Sequence, residues 1–450
     1  MSGPQRYDRV RCLDTVLPVQ PPNIRPISVK TLTVQDLPPE LIQKIIYFFL
    51  EDLPDVTMLP LESGSRHPRL QITHVCSTWR AVSFSIYDFW ELAIPGNRSS
   101  PGSINLAKSW LLQIPGSRLS LTIMVGGTRG NPSSSLEDLV VPYSHRFRKL
   151  SVPVTASELG KLLCLPQSSF CSLEILNLQF IGSEHSINNV GSPFINAPLL
   201  RELSLTLDHE LQIKAHFPWT QLTKVSVVCS RLDPTDYLSI LSNGFSLTHL
   251  SLSFISAIDS ETETRITTLQ SHPLCLPKVK KLHLDFNCSH PGPLLISLEL
   301  PSLTHLTLGS LSLIHWARVS HRRFFESFAS CLEYFETNNS YMFVELDDTI
   351  LSWMPNLHSL ILRRDYRLTS ATLQRIGTGE LLPKVEHLEF SVRDVSLVVR
   401  MLSERQRLSQ SLGNPPTSIK KIKVFARTWQ VDDEYWKLRA QGVEIQLARI

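Results

Sequence analysis

The chain has 450 residues, enough for about two to four compact domains, or for one domain followed by an extended repeat array. Its formal net charge is only +3, so charge gives no reason to expect nucleic acid or an anionic membrane as a partner. A hydrophobic content of 42% with 19% charged residues excludes a largely disordered chain. The sequence also lacks an apolar run of the about 18 residues that a membrane span needs.

The first residues, 1–30, are polar, contain several prolines and lack the apolar centre of a secretion signal. They predict a disordered tail on an intracellular protein, cytoplasmic or nuclear. Eight cysteines occur without a Cys-x-x-Cys pair, which favours buried, reduced thiols over disulfides or metal ligands. We therefore expect no metal site and no cofactor.

The first predicted helix lies in residues 32–50, with the sequence LTVQDLPPELIQKIIYFFL. Asp36 is placed to cap it, two prolines suit its first turn, and apolar residues at 41, 42, 45, 46, 48 and 49 form one broad face. A second amphipathic stretch, RLQITHVCSTWRAVSFS, starts at Arg69, and an aromatic segment ending at Trp90 follows it. Helices this short need each other to bury their apolar faces, so we expect a small helical domain.

After these helices, residues 104–113 predict a further helix and residues 119–125 an alternating strand. From residue 147 onward one pattern recurs, apolar-x-x-apolar-x-apolar, as in SLTHLSLSF from Ser246 and LPSLTHLTLGS from Leu300. Its central apolar residue falls at positions 150, 176, 203, 225, 250, 282, 306, 335, 360, 388 and 422. Spacings of 22 to 34 residues bracket the leucine-rich-repeat period of about 20 to 29 residues.

The physics of such a repeat sets the fold class. Two alternating apolar residues of each short strand point inward, and parallel stacking joins these pairs into one core that no single unit has alone. We therefore predict an α/β chain: a small helical domain, then an irregular leucine-rich-repeat solenoid with a parallel sheet on its concave side. A mixed α/β domain with a leucine-rich parallel sheet remains an alternative. The return segments predicted to be helical are 156–164, 233–244, 321–329, 369–376 and 394–408, and a last strand is predicted at 443–447.

Strand residues outside the leucine pattern face the concave side and are candidates for binding a target protein. The candidates are Lys224, His249, Lys281, His283, His305, Tyr334, Arg363 and His387. The alternative is that any solenoid must make its exposed strand face polar. Three of the histidines stand on neighbouring predicted strands, but their alternating rows and the lack of further ligands argue against a metal. Basic clusters near Lys280 and Lys421 lack interleaved aromatic residues, so we expect no nucleic acid there.

The N-terminal residues resemble a known family. The sequence LPPELI from Leu37, then Ile45 and Ile46, then VCSTWR from Val75 and the downstream Trp90 are similar to the F-box of fungal F-box-like proteins with C-terminal leucine-rich repeats. The resemblance implies three regions: a tail at 1–30, an F-box-like helical domain at 31–95 with a polar insertion at 52–68, and a leucine-rich-repeat-like solenoid at 96–450.

This resemblance implies a substrate-recognition subunit of an SCF-type, cullin-based ubiquitin ligase. The F-box helices would bind the small adaptor, the adaptor would bind the cullin, and the repeats would bind a protein substrate. The adaptor-binding residues that the resemblance assigns are Leu37, Pro38, Leu41, Ile42, Ile45, Ile46, Val75, Cys76 and Trp79. Trp79 and Trp90 have an equally good interpretation as core residues that hold the helices together.

Catalytic motifs are absent from the sequence: it contains no GxxxxGK[ST], GxSxG, HExxH or GxGxxG. We therefore expect a non-catalytic protein. Two alternatives to the ligase subunit remain: an interaction scaffold whose degenerate F-box binds no cullin complex, and a repeat protein that carries or regulates an unseen enzymatic activity.

Overall fold

The computed structural model of the chain consists of N-terminal helices followed by a long parallel sheet. It describes residues 33, 36–51, 68–86, 91–95, 101–113, 119–124, 136–181, 192–207, 217–229, 241–254, 273–286, 295, 297–309, 319–338, 344–345, 348–362, 366–410, 415–427 and 433–449. The predicted tail at 1–30 and nearly all of the predicted insertion, 52–67, lie outside these residues.

The described residues form eighteen strands. They are β1 (Glu91–Pro95), β2 (Leu119–Met124), β3 (Phe147–Val154), β4 (Ile175–Phe180), β5 (Glu202–Leu207), β6 (Lys224–Cys229), β7 (His249–Phe254), β8 (Leu274–Cys275), β9 (Lys281–Phe286), β10 (Leu298–Glu299), β11 (His305–Gly309), β12 (Tyr334–Asn338), β13 (Val344–Glu345), β14 (Ser359–Leu362), β15 (Tyr366–Arg367), β16 (His387–Ser391), β17 (Lys421–Ala426) and β18 (Glu444–Arg449).

Sixteen of these strands form one sheet in which the long strands follow each other in chain order. Strands β8 and β10 pair separately, and the short β13 and β15 join the sheet beside β16. Every strand pair formed by the described residues is parallel. Chain-order parallel stacking is the topology of a solenoid, because each strand pairs with those of the units before and after it.

The strand register aligns the leucine pattern into one buried ladder. All eleven predicted central residues, from Leu150 to Ile422, lie in strands and are at most 3% exposed. They stand opposite one another in consecutive strands, as Leu150 does with Leu176 and Leu388 with Ile422. The prediction of an α/β leucine-rich-repeat solenoid is thereby confirmed at the level of the fold.

Ten α-helices are described. They are α1 (Pro39–Glu51), α2 (Pro68–Thr73), α3 (Ser77–Ser85), α4 (Pro101–Gln113), α5 (Ala156–Leu163), α6 (Val319–Glu326), α7 (Asp348–Ser352), α8 (Ser370–Thr378), α9 (Val395–Ser409) and α10 (Asp433–Ala440). Four of the predicted return helices match α5, α6, α8 and α9. The fifth, at 233–244, lies mostly outside the described residues. The helices α7 and α10 were not predicted.

The N-terminal helices form a small cluster, in which α3 contacts both α1 and α2. Ile42, Ile46, Trp79 and Val82 are buried there. Arg80 ties α3 to the end of α2, because its Nε donates a hydrogen bond of 3.0 Å to the carbonyl of Thr73.

Two local expectations, the Asp36 cap and the burial of the cysteines, need correction. Asp36 does not cap α1: its carboxylate accepts hydrogen bonds from the backbone N–H and the hydroxyl of Thr33, which closes the turn before the helix. The sheet begins at β1, which pairs with β2. The cysteines at positions 164, 171, 275 and 331 are exposed and Cys76 is half-buried, where the sequence predicted buried thiols. No described helix is both long and apolar enough to cross a bilayer.

Candidate functional site

The first helix carries two apolar stripes where the sequence predicted one broad face. Ile42 and Ile46 are fully buried, and Phe49 packs against the same core. Leu41, Ile45 and Phe48 are 45%, 43% and 70% exposed. Residues three and four positions apart lie on one side of a helix, so these three side chains form a continuous exposed apolar stripe.

The predicted adaptor-binding residues are divided between surface and core. Leu41, Ile45, Pro38 and Val75 are exposed, and Leu37 and Cys76 are half-buried. The other three are buried: Ile42, Ile46 and Trp79. Buried side chains support the helical cluster and are not accessible to a partner. Only six of the nine predicted residues are therefore open to contact.

Phe48 is the most exposed large apolar residue of α1, and it was not among the predicted residues. The available signal was its spacing from Leu41 and Ile45, which places the three residues on one side of a helix. The same helix also had to supply a core face, and periodicity alone did not separate the two faces.

The strand face of the sheet contains a hollow of about 760 Å³. Six of the eight predicted target-binding residues line it: Lys224, His249, Lys281, His283, His305 and Tyr334. His387 lies farther along the same face on β16, outside the lining, and its Nδ1 is 3.2 Å from the hydroxyl of Ser359. Arg363 lies outside the described residues.

Strand register places four of these residues in one row on neighbouring strands. Lys224, His249, Lys281 and His305 stand opposite one another on β6, β7, β9 and β11. We call these four residues the basic row. A second row two residues farther along the strands is largely hydroxylic. It consists of Ser226, Ser251, His283 and Thr307.

Both histidines of the basic row have lowered pKa values. Burial is the main cause for His249, and the fields of Lys281 and Lys224 add to it. Burial also lowers the pKa of His305, again with a contribution from Lys281. His305 also stacks on Tyr334 with ring centroids 5.5 Å apart. Both imidazoles are therefore neutral near pH 7.

The hydrogen bonds of these histidines define their tautomer. Thr248 Oγ1 lies 2.9 Å from His249 Nδ1 and 3.0 Å from the Thr223 carbonyl. A carbonyl only accepts, so the threonine hydroxyl donates to it and His249 Nδ1–H donates to the hydroxyl oxygen. His305 repeats this arrangement with Thr304, at 2.8 Å. In both rings Nε2 is left unprotonated.

Charge is distributed unevenly along the strand face. Lys420, Lys421 and Lys423 at its C-terminal end are each paired with a glutamate, at 2.8, 3.2 and 3.1 Å. In the basic row Lys224 pairs with Glu202 at 2.5 Å, whereas Lys281 forms no ion pair with a described residue. Within the described part of the chain, no group of three or more His, Cys, Asp or Glu residues is arranged to hold a metal ion.

No protein-family model matches the chain, and no curated protein matches it in sequence. Among solved structures, it is similar to internalin C2 from Listeria monocytogenes, at 12% identity and with a TM-score of 0.21. The match covers 72% of this chain and 92% of the internalin chain. A similarity this weak carries no argument, so the fold assignment depends on the strand register and the buried leucine ladder.

The architecture is that of a parallel α/β solenoid. Its core is a continuous apolar ladder, and its strand face presents a hollow that extends across several units. Solenoid proteins can form extended binding surfaces in this way.

Proposed function

We propose that the protein is a non-catalytic, substrate-recognition subunit of an SCF-type, cullin-based ubiquitin ligase. The exposed apolar stripe of α1 binds the small adaptor, and through it the cullin, while the strand face of the solenoid binds the target protein. The observation that carries this proposal is the stripe itself. Leu41, Ile45 and Phe48 remain exposed although the same helix already buries a full apolar face.

Exposed apolar side chains in a row are costly in water and favour a partner that covers them. Burying a fully exposed side chain of this size contributes about 1.5–3 kcal/mol, and a half-exposed one contributes correspondingly less. Phe48 has the most to gain because it is 70% exposed. Large apolar side chains near the centre of an interface supply most of its binding energy.

The motif order supports the adaptor as the partner. The stripe lies within LPPELIQKIIYFFL, and Val75, at the turn between α2 and α3, is 51% exposed. Both segments belong to the part of the chain that resembles an F-box.

Binding of the purified adaptor tests the proposal. We expect wild-type protein to co-purify with the adaptor and an Ile45→Asp or Phe48→Asp variant to lose at least about tenfold in affinity, because a charge would be buried in an apolar interface. Leu112→Asp is the matched control, since Leu112 is 67% exposed on the separate helix α4. Circular dichroism checks that each variant keeps its helices. Ile42 is unsuitable for this test because it is fully buried.

The degenerate-F-box scaffold is the second candidate, and one observation favours it. Three of the nine residues that the resemblance assigns to the adaptor are core residues in this chain. This candidate predicts that wild-type protein does not bind the adaptor at all. Equal adaptor binding by wild type, Ile45→Asp and Leu112→Asp would instead show that the stripe is not the adaptor site.

A further inference from the structure

The hollow on the strand face has an excess of positive charge. Its lining contains three lysines, at 149, 224 and 281, against one glutamate, Glu202. With neutral histidines this leaves a net charge of +2. Glu202 is paired with Lys224, whereas Lys281 on β9 has no ion pair among the described residues and so contributes a positive charge that no described carboxylate neutralises directly.

The polar groups that line the hollow can donate hydrogen bonds to carboxylates. Lysines donate charged hydrogen bonds, and the neighbouring hydroxyls of Ser226, Ser251 and Thr307 line the same space. The two histidines can also donate once they are protonated. Nε2 of each neutral ring takes up a proton at lower pH and can then donate a hydrogen bond to an anion.

The dimensions of the basic row match an extended chain. Adjacent strands are about 4.8 Å apart, so the three strand steps from Lys224 to His305 span about 14 Å. In an extended peptide, the side chains on one face recur about every 6.6 Å. Three alternate acidic residues therefore span about 13 Å and fit along the row.

We propose that the hollow binds an extended, acidic segment of the target protein, with the carboxylates of alternate residues placed along Lys224, His249, Lys281 and His305. This inference rests on the proposed role of the strand face as the target site. An acidic peptide is favoured over a nucleic acid because the described residues that line the hollow include one phenyl-type or indole ring, that of Tyr334, and no arginine.

Binding of an acidic peptide is coupled to protonation of His249 and His305. The groups that surround His249 are Lys224, Glu202, Lys281 and His305, and those around His305 are His249, Lys281, Glu333 and Tyr334. The lysines lower the histidine pKa values, whereas a bound carboxylate raises them. Binding therefore strengthens as the pH falls through the histidine range.

A fluorescence anisotropy titration of the full chain tests this inference. The probes are a labelled peptide of about ten residues with alternating Glu and Ser, a Gln and Ser peptide of the same length, and an oligothymidine. We expect the Glu peptide to bind at least about tenfold more tightly than the Gln peptide, more weakly at higher salt, and severalfold more tightly at about pH 6 than at about pH 8.

The matched variants are Lys281→Glu and Lys278→Glu. Both reverse one exposed lysine in the same repeat, but only Lys281 lines the hollow. Lys281→Glu should weaken binding of the Glu peptide by about tenfold or more, and Lys278→Glu by less than about twofold. Thermal melts confirm that both variants fold.

Three results would overturn the inference: equal binding of the Glu and Gln peptides, equal effects of the two lysine variants, or tighter binding of the oligothymidine than of the Glu peptide. The measurement contains no adaptor. Failure here therefore leaves the adaptor proposal standing, and loss of adaptor binding leaves the peptide result intact.

Discussion

Arg405 is a charged side chain that the structure buries almost completely, at 1% exposure. Its guanidinium donates to four backbone carbonyls, at distances of 2.7 to 2.9 Å, and no carboxylate is among these partners. The carbonyls belong to Ile376, Leu382, Pro383 and Thr417. Burial lowers the pKa of Arg405 to about 10, so the side chain remains protonated at neutral pH.

Replacing Arg405 should destabilise the C-terminal units. In Arg405→Met four carbonyls lose a hydrogen bond from a charged donor, although those of Ile376, Leu382 and Pro383 each keep a backbone N–H donor. Hydrogen bonds to a charged group contribute about 1.5–3 kcal/mol each, so we expect a loss of about 3 kcal/mol or more. Arg405→Lys should recover only part of this loss, because an ammonium has three donors and not the planar fork. Urea unfolding measures the change. Arg400→Met, at an exposed position of the same helix, is the control, and an equal effect of both methionine variants would refute the role of the carbonyl contacts.

The sequence could not reveal this arrangement. Arg405 sits in the helix pattern of 394–408 like any other charged residue, and its partners come from three separate segments of the chain. Side-chain burial of this kind is decided by tertiary packing. A pattern of short-range spacing therefore carries no information about it.

Secondary structure was predictable wherever two signals agreed. Each long strand from β3 onward follows the previous one at a repeat-like spacing, and all except β12, where Thr337 takes the second inward position, have alternating apolar residues; these strands were all predicted. The two-residue strands β8, β10, β13 and β15 were missed, since such pairs have no periodicity to detect. The short helix α7 was missed for the same reason. Helix α1 was found, but the division of its apolar residues into a buried and an exposed stripe depends on how the other helices pack.

Helix α5 gives a prediction about local structure. It begins with a capping box, in which Thr155 accepts from the backbone N–H of Glu158 and the Glu158 side chain accepts from the Thr155 N–H. Its interior contains Gly160, and a Cβ at that position would meet nothing within 4 Å. We expect Gly160→Ala to stabilise the chain by about 0.5–1 kcal/mol, because alanine favours the helix without a steric conflict.

Thr155→Ala is the opposing variant for this helix. It removes the cap and should cost about 1 kcal/mol. Thermal or urea unfolding of both variants measures the two effects. A destabilising Gly160→Ala would mean that the helix does not depend on its intrinsic propensity.

The histidines of the strand face influence how the stability of the solenoid depends on pH. His249, His305 and His387 all have lowered pKa values, with burial as the main cause in each and a nearby lysine as the next: Lys281 for His249 and His305, Lys421 for His387. The other charged groups around His387 are Glu389, Glu444 and Lys423.

The sign of the pH effect follows from proton counting. A histidine with a lowered folded-state pKa binds fewer protons than it does in the unfolded chain, so the unfolded state is favoured as pH falls below the ordinary value of about 6.5. The carboxylates of Asp36, Asp394, Glu404 and Glu444 have pKa values lowered by hydrogen bonds. Their stabilisation is present above their ordinary values of about 4 and is lost only at lower pH.

We therefore expect two separate losses of stability on acidification: a first one just below about pH 6.5 from the histidines and a second one below about pH 4.5 from the carboxylates. Urea midpoints measured across this range test the expectation. Replacing His249, His305 and His387 together with Gln should remove the first loss and leave the second. If the triple variant follows the wild-type curve between about pH 7.5 and 5.5, the histidines do not control that window. A bound acidic peptide should also reduce the first loss, because its carboxylates favour the protonated rings in the folded state and so reverse the effect of the lysines.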